Sequence, residues 1–307
     1  MSSTLPTVFK YQNVSIPTIG LGTCDINNDI SEVVYSSIKD GTRLIDTAAS
    51  YGSEKGVGKG IKKAIDEGIV KREDLFIVTK LSNKVKWTPE DSIKTSLKEL
   101  GVDYIDLYLD HWPEYYHFNE KGEKVHQLPL HELWPIMESF VEKGYTKYLG
   151  VSNYTVQTLL NLLSFCKIKP LVNEVEFHPL LNQKKLAEFC KSEDILLFGY
   201  NPLVKGAYSK NTGTEKDRDL LGNSVIVELS KKYDKTPGQI VLNWSISKEV
   251  VPLPMTSNLK RMKENLGATS FVMSAEDLEK IDKLNKNMRF GRSEMFKIYD
   301  DKIDVFA

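Results

Sequence analysis

The sequence predicts an α/β fold, a (β/α)8 TIM barrel built as one domain over residues 1–307. Short apolar runs of strand character alternate with amphipathic helical patterns along nearly the whole chain. That alternation argues for parallel strands joined by helical crossovers. Eight such units occur, which suggests a closed barrel rather than an open sheet.

The strand candidates are residues 18–22, 43–46, 75–79, 104–109, 148–151, 171–176, 196–200 and 250–252. Helical patterns follow them at 31–39, 53–67, 89–100, 131–143, 156–165, 183–191, 224–232 and 259–266. Ser53 is placed to cap the second helix. The third and fourth stop before Gly101 and Gly144, a residue type that often ends helices. Two stretches, 112–128 and 204–223, are longer than tight turns and follow strand C-terminal ends, where a barrel keeps its active site. The tail 287–307 carries Phe290, Phe296, Tyr299 and Phe306 and is expected to fold over the same rim.

Composition narrows the function classes. Hydrophobic residues make up 41% of the 307, enough for a sizeable core. The formal net charge is -1, with both signs interspersed, so nothing electrostatic points to nucleic acid or an anionic membrane. Cys24, Cys166 and Cys190 have no metal-ligand spacing and read as reduced thiols. The first ten residues lack the apolar core of a signal peptide, and no apolar run approaches the ~20 residues of a membrane helix. The expectation is a cytoplasmic protein with no metal and no obligate protein partner.

Several motifs fail on inspection. Gly20-Leu-Gly22 lacks the third small residue and the βαβ context of a dinucleotide fingerprint. In Gly56-Val-Gly58-Lys59-Gly60 the lysine is not followed by Ser or Thr, and the run lies inside a helical pattern. Small residues where a helix packs closely are the better reading. His117, His126 and His131 form no zinc-ligand set and read as scattered structural residues.

Four polar residues stand at or just beyond the C-terminal ends of three consecutive strands: Asp46, Tyr51, Lys80 and His111. In a barrel those ends meet at one mouth. Singly, each would more often be structural, as a helix cap, a packed aromatic or a rim charge. Jointly they suit carbonyl reduction, in which a hydride leaves an alkoxide that needs a proton. Free tyrosine, with a pKa of about 10, is too weak an acid at neutral pH. A neighbouring ammonium stabilises its phenolate. Lys80 can supply that charge, Asp46 can hold Lys80, and His111 can orient the carbonyl.

The run Leu44-Ile-Asp46-Thr-Ala-Ala-Ser-Tyr51-Gly52-Ser-Glu54 resembles the aldo-keto reductase signature. Ile77-Val-Thr-Lys80-Leu and His111-Trp112-Pro113 resemble that family's lysine and histidine motifs. Gly150-Val-Ser152-Asn153-Tyr154, Asn173-Glu-Val-Glu176-Phe-His178-Pro179 and Arg261-Met-Lys-Glu264-Asn265 are similar to three further blocks, in order across nearly the whole chain. The resemblance implies an NADPH-dependent reductase of an aldehyde or ketone, NADH being possible but less favoured. It also implies a β-hairpin before the barrel, around residues 7–18. Tyr51 would be the general acid, with Asp46, Lys80 and His111 in support. Gly22, Thr23, Cys24 and Asp46 would border the cofactor. Ser152, Asn153 and Glu174 would meet the nicotinamide carboxamide, Tyr200 would stack on the ring, and Asn201 would also border the cofactor. Leu203 would line the pyrophosphate path. Met255, Thr256, Ser257, Arg261, Glu264 and Asn265 would hold the adenosine end. Trp112 would wall a substrate pocket shared with Tyr51 and His111, and Tyr115, Tyr116 and Phe118 would add aromatic surface.

Five departures from the family pattern matter, one of them Asn201 in place of a common serine. Cys24 stands for an aromatic residue, and Met255 for a lysine that contacts the 2′-phosphate. Asp110 replaces an apolar residue beside the histidine, and a buried carboxylate needs a partner. Glu174 replaces a glutamine. Ionised, it would only accept hydrogen bonds and would favour the positively charged, oxidised nicotinamide, unless a proton or a nearby cation cancels its charge. A cofactor-binding regulatory or structural protein with little turnover is the competing class, and the complete set of four polar residues favours catalysis. An unrelated barrel hydrolase or isomerase would leave the Ser152-Asn153 and Arg261–Asn265 blocks unexplained.

Overall fold

Eight parallel strands run around the barrel in chain order, each feeding a helix on the outside. In the computed structural model, which describes residues 3–26, 29–114, 116–119, 121, 123–204 and 218–291, the barrel strands are β3 (Leu21–Gly22), β4 (Leu44–Asp46), β5 (Phe76–Leu81), β6 (Ile105–Asp110), β9 (Thr146–Ser152), β10 (Val172–Glu176), β11 (Leu196–Tyr200) and β12 (Val250–Leu253). All eight expected strands form. The ladder runs unbroken from β3 to β12. The backbone N–H groups of Gly20 and Gly22 donate to the carbonyls of Pro252 and Pro254, each at 3.1 Å, and bring the first and last strands together. A Cβ on Gly22 would stand 3.0 Å from the carbonyl oxygen of Leu253. The glycines that failed as a nucleotide fingerprint therefore serve the barrel seam.

The expected hairpin is present as β1 (Val8–Tyr11) and β2 (Val14–Pro17), antiparallel. Its two turn residues, Gln12 and Asn13, both take positive φ, as a two-residue turn between twisted strands requires. Phe9, Val14 and Ile16 pack against Leu44, Phe76, Leu107, Leu171 and Leu196 at the starts of the barrel strands, so the hairpin stoppers the N-terminal end. A second hairpin, β7 (Tyr116–Phe118) with β8 (Lys124–His126), lies within the long segment after β6, which the sequence reading left without structure.

The helices are α1 (Ile30–Lys39), α2 (Glu54–Asp66), α3 (Pro89–Leu100), α4 (Leu130–Glu142), α5 (Val156–Leu163), α6 (Lys184–Ser192), α7 (Ser224–Tyr233), α8 (Pro237–Ser247), α9 (Leu259–Leu266) and α10 (Ala275–Asp282). Among the described residues none is long and apolar enough to cross a membrane. The sequence reading missed α8 and α10. It placed Ser53 correctly at the start of α2 but misjudged its role: Ser53 Oγ lies 3.2 Å from Thr47 Oγ1 and makes no capping bond. The segment 205–217 and the tail beyond 291, with Phe296, Tyr299 and Phe306, lie outside the described residues.

The glycines of α2 mark close packing. A Cβ on Gly60 would fall 2.8 Å from Val34 Cβ of α1, and one on Gly58 would fall 2.8 Å from the Cα of Leu100 at the end of α3. At Gly58 the obstacle is backbone and cannot rotate away. Gly58→Ala should therefore destabilise by about 1–3 kcal/mol through overpacking, outweighing the ~1 kcal/mol gained in helix propensity. A thermal melt checks this, and an unchanged or higher midpoint would show that α2 can move off α3.

Candidate active site

Alternation along each strand decides which side chains enter the barrel. Leu44 of β4, Phe76 and Val78 of β5, Leu107 and Leu109 of β6, and Val172 of β10 belong to the inner core. The next inward positions are Asp46, Lys80, His111 and Glu174. The same step of two places Gly22 of β3, Ser152 of β9 and Tyr200 of β11 at this end. The strand pattern thus supplies apolar filling below and a ring of polar groups above.

Lys80 is the hub. Its side chain is 0% exposed and its Nζ lies 2.6 Å from Asp46 Oδ1, 3.0 Å from the Thr47 carbonyl, 3.3 Å from Glu174 Oε1 and 3.4 Å from the Tyr51 hydroxyl. Tyr51 closes a short 3-10 turn, Ala49–Tyr51, directly after β4. Thr23 donates from its backbone N–H and its hydroxyl to the Asp46 carbonyl, which ties the end of β3 to β4. From the outer face, Glu54 of α2 accepts from the Thr79 hydroxyl at 2.7 Å and steadies β5 beside Lys80.

His111 meets the ring of Tyr51 edge-on at 5.8 Å between centroids, and Trp112 stacks beside it at 6.4 Å. Burial, then the positive charges of Lys80 and Lys86, hold the imidazole pKa well below its ordinary value. The ring is therefore neutral at physiological pH and can donate a hydrogen bond without carrying charge.

Of the alternatives left open for Glu174, its surroundings favour the protonated carboxyl. It is buried at 2% exposure against Lys80 and near Asp46. Burial first, then the negative charge of Asp46, push its pKa up to about 8, against the pull of Lys80. Asp46 lies closer to Lys80 and takes most of its charge, so the proton shared by this group rests on Glu174. Protonated, the carboxyl also hydrogen-bonds to the Asp46 carboxylate.

Asn153 joins four strand ends. It holds a left-handed conformation, φ 65°, in which its N–H donates to the Glu174 carbonyl at 2.8 Å. Its Nδ2 donates to the His111 carbonyl at 3.0 Å, and its Oδ1 accepts from the Tyr200 hydroxyl at 2.9 Å. Ser152 Oγ donates to the same Glu174 carbonyl at 3.0 Å.

The adenosine-end residues form a separate cluster at the end of β12. Thr256 Oγ1 accepts from Arg261 Nε at 3.2 Å and from the Asn258 N–H at 3.1 Å, while Asn258 caps α9. Arg261 is exposed, and Met255, Ser257, Glu264 and Asn265 are half-buried around it. Cys24 and Leu203 are half-buried. Asn201 turns away from the Tyr200–Asn153 chain and donates to Glu176 Oε1 at 3.0 Å.

Two groups of neighbours escaped the sequence reading. Asp110 does have partners: Lys86 Nζ lies 2.6 Å from its Oδ1, and the Tyr154 hydroxyl donates to its Oδ2 at 2.8 Å. Asp110 follows the outward alternation of Tyr108, so it belongs to the support behind the site. Lys86 also donates to the Trp112 carbonyl, fixing the chain just after His111. Glu176 accepts from the backbone N–H groups of Phe290 and Gly291 and lies 3.1 Å from His178 Nε2, which pins the start of the C-terminal segment beside Tyr200.

A family model for the Aldo/keto reductase family matches residues 18–286. The chain belongs to this family. It is 35% identical to an NAD(P)H-dependent D-xylose reductase of Pyricularia oryzae, over 98% of this chain and 99% of that one. It is 35% identical to the NAD(P)H-dependent D-xylose reductase of Scheffersomyces stipitis, over 99% and 100%. A glyoxal reductase of Bacillus subtilis is 38% identical, over 93% and 95%. This aldo-keto reductase is thus an oxidoreductase that uses a nicotinamide cofactor on carbonyl groups.

The Lys86–Asp110 pair yields a stability prediction. Lys86→Met strands a buried carboxylate and should cost about 3–5 kcal/mol, whereas replacing both partners with apolar residues of similar volume is often near neutral. Lys86→Met with Asp110→Leu should recover part of the loss in denaturant unfolding. A double variant as unstable as the sum of the singles would show that the two do not act as a pair.

Proposed function

We propose that this chain reduces an aldehyde or ketone to its alcohol with NADPH, Tyr51 acting as the general acid. The observation that carries the reading is the Lys80 ammonium, sealed in protein and within 3.4 Å of the Tyr51 hydroxyl. A bound nicotinamide cofactor would supply the hydride, and this chain's residues manage the proton. Tyr51 gives its proton to the carbonyl oxygen as negative charge develops there. Lys80 stabilises the phenolate left behind, and Asp46 keeps Lys80 charged and in place. Neutral His111 donates a hydrogen bond to the carbonyl oxygen and orients it. Solvent then returns the proton to Tyr51.

The residues suit a nicotinamide cofactor. The buried Glu174 carboxyl at the end of β10 suits a carboxamide, and the Tyr200 ring at the end of β11 offers a stacking surface. Ser152 and Asn153 stand at the same strand ends, with Gly22, Thr23 and Cys24 at the seam. The Arg261 guanidinium, braced by Thr256, suits a 2′-phosphate. The side chains of Tyr115, Tyr116 and Phe118 fall outside the described residues, so Trp112 is the described aromatic of the substrate wall. The protein works as a single domain in the cytoplasm on a small carbonyl compound. D-xylose and glyoxal, the substrates in its relatives' names, are the first to assay.

Tyr51→Phe should lower turnover at least ~10²-fold, the lower range for a lost general acid, with NADPH binding retained. Loss of NADPH absorbance with an aldehyde panel measures it, and a variant of near wild-type activity would remove Tyr51 from the role. NADPH should be preferred over NADH. A charge-assisted contact to Arg261 is worth roughly 1.5–3 kcal/mol, about tenfold or more. Met255→Lys should tighten NADPH selectively. Equal catalytic efficiency with both cofactors would refute the Arg261 assignment.

A further inference from the structure

Two carboxyl groups share one ammonium at the floor of the site. Asp46 Oδ1 is 2.6 Å from Lys80 Nζ and Glu174 Oε1 is 3.3 Å from it, with all three side chains at most 5% exposed. The local charge depends on how many protons the three hold. Lysine charged, Asp46 ionised and Glu174 protonated sum to zero, and removing the Glu174 proton leaves minus one. The charge would sit where the reading above, on which this inference rests, places the nicotinamide.

We propose that Glu174 is a proton-holding specificity residue: protonated, it leaves the site neutral and indifferent to the charge of the nicotinamide, and ionised, it favours the positively charged oxidised cofactor. The carboxyl is well placed for this. Oε1 faces Lys80, the carboxyl group lies beside the Asp46 carboxylate with which it can share a proton, and the Glu174 backbone is held by Ser152 and Asn153. Its titration falls near pH 8, within the working range of an enzyme. Among the described residues the other ionisable groups around Glu174 at this end are Asp46 of β4, Tyr51 after β4, Lys80 of β5, His111 after β6 and Tyr200 of β11, with Cys24 at the seam. Asp46 and Lys80 touch or oppose Glu174 directly, and His111 stays neutral throughout. Tyr51, Tyr200 and Cys24 are the groups that could mimic the effect, and a Glu174 variant retains all three.

The sign is fixed by linkage. If NADP+ prefers the ionised form, raising pH through about 8 must tighten NADP+ relative to NADPH. Binding of NADP+ near the midpoint must likewise release a proton. The 2′-phosphate is common to both cofactors, so its own titration cancels in the ratio.

Dissociation constants for NADP+ and NADPH, measured by fluorescence titration from pH 6.5 to 9.5 on wild type and Glu174→Gln, test the proposal. The wild-type ratio should move roughly fivefold to tenfold toward NADP+ across that range, and the Glu174→Gln ratio should stay flat. A dye-based proton count on wild type alone, which needs no folded variant, should show roughly half a proton released per NADP+ bound at pH 7.5 and almost none with NADPH. A flat wild-type ratio with intact binding, or the same titration in Glu174→Gln, overturns the proposal and leaves the cofactor site standing. Failure of wild type to bind either cofactor overturns the cofactor reading and the proposal with it.

Discussion

A charged lysine with no exposed surface is the constraint around which this molecule is organised. Removing an ammonium from water costs several kcal/mol even after relaxation, and only close counter-charges and hydrogen bonds offset it. Asp46, Glu174, the Thr47 carbonyl and the Tyr51 hydroxyl do so from β4, β10 and the turn between β4 and α2. Each partner must arrive at a fixed height above the apolar core, so the lengths and registers of these strands are not free. The same desolvation that makes Lys80 expensive makes it effective, because its field on Tyr51 is not screened by water.

Support for that centre comes from layers with opposite facing. Inward residues form the proposed catalytic set. Outward residues one step away, Thr79 with Glu54 and Asp110 with Lys86 and Tyr154, lock the strand ends to the helices and loops behind. Asn153 adds a lateral tie from β9 to His111, β10 and Tyr200. The site is thus stiffened from behind and from the side, as preorganised hydrogen-bond donors require.

Much of this could be read without coordinates, and the reasons are specific. Short apolar runs alternating with helical patterns gave all eight barrel strands, and Asp46, Tyr51, Lys80 and His111 at the ends of three consecutive strands gave the centre of the inward ring. What stayed hidden had no local signature. Helix α8 is buried from Ile240 to Ile246 and so shows little amphipathic rhythm; its trace in the chain was the capping box of Thr236 and Gln239 with Pro237 at the first turn. Lys86 sits among polar loop residues, and nothing in Lys84-Val-Lys86 says which lysine is buried. Glu174 was recognised as unusual, but whether its charge survives depended on burial and a neighbouring Asp46 outweighing its 3.3 Å approach to Lys80, ninety-four positions earlier in the chain. Such cross-barrel distances are tertiary quantities.

The seam between Gly20–Gly22 and Pro252–Pro254 has a temporal meaning as well as a spatial one. During synthesis the first strand leaves the ribosome long before its closing partner exists. Until then the nascent chain presents an open parallel sheet with an unpaired edge at β3, the kind of edge that invites mispairing. The edge it offers is two residues long, with a glycine on either side of Leu21, and such a short edge is a poor template for another strand. The seam that completes the barrel late is therefore also the seam least able to aggregate while it waits.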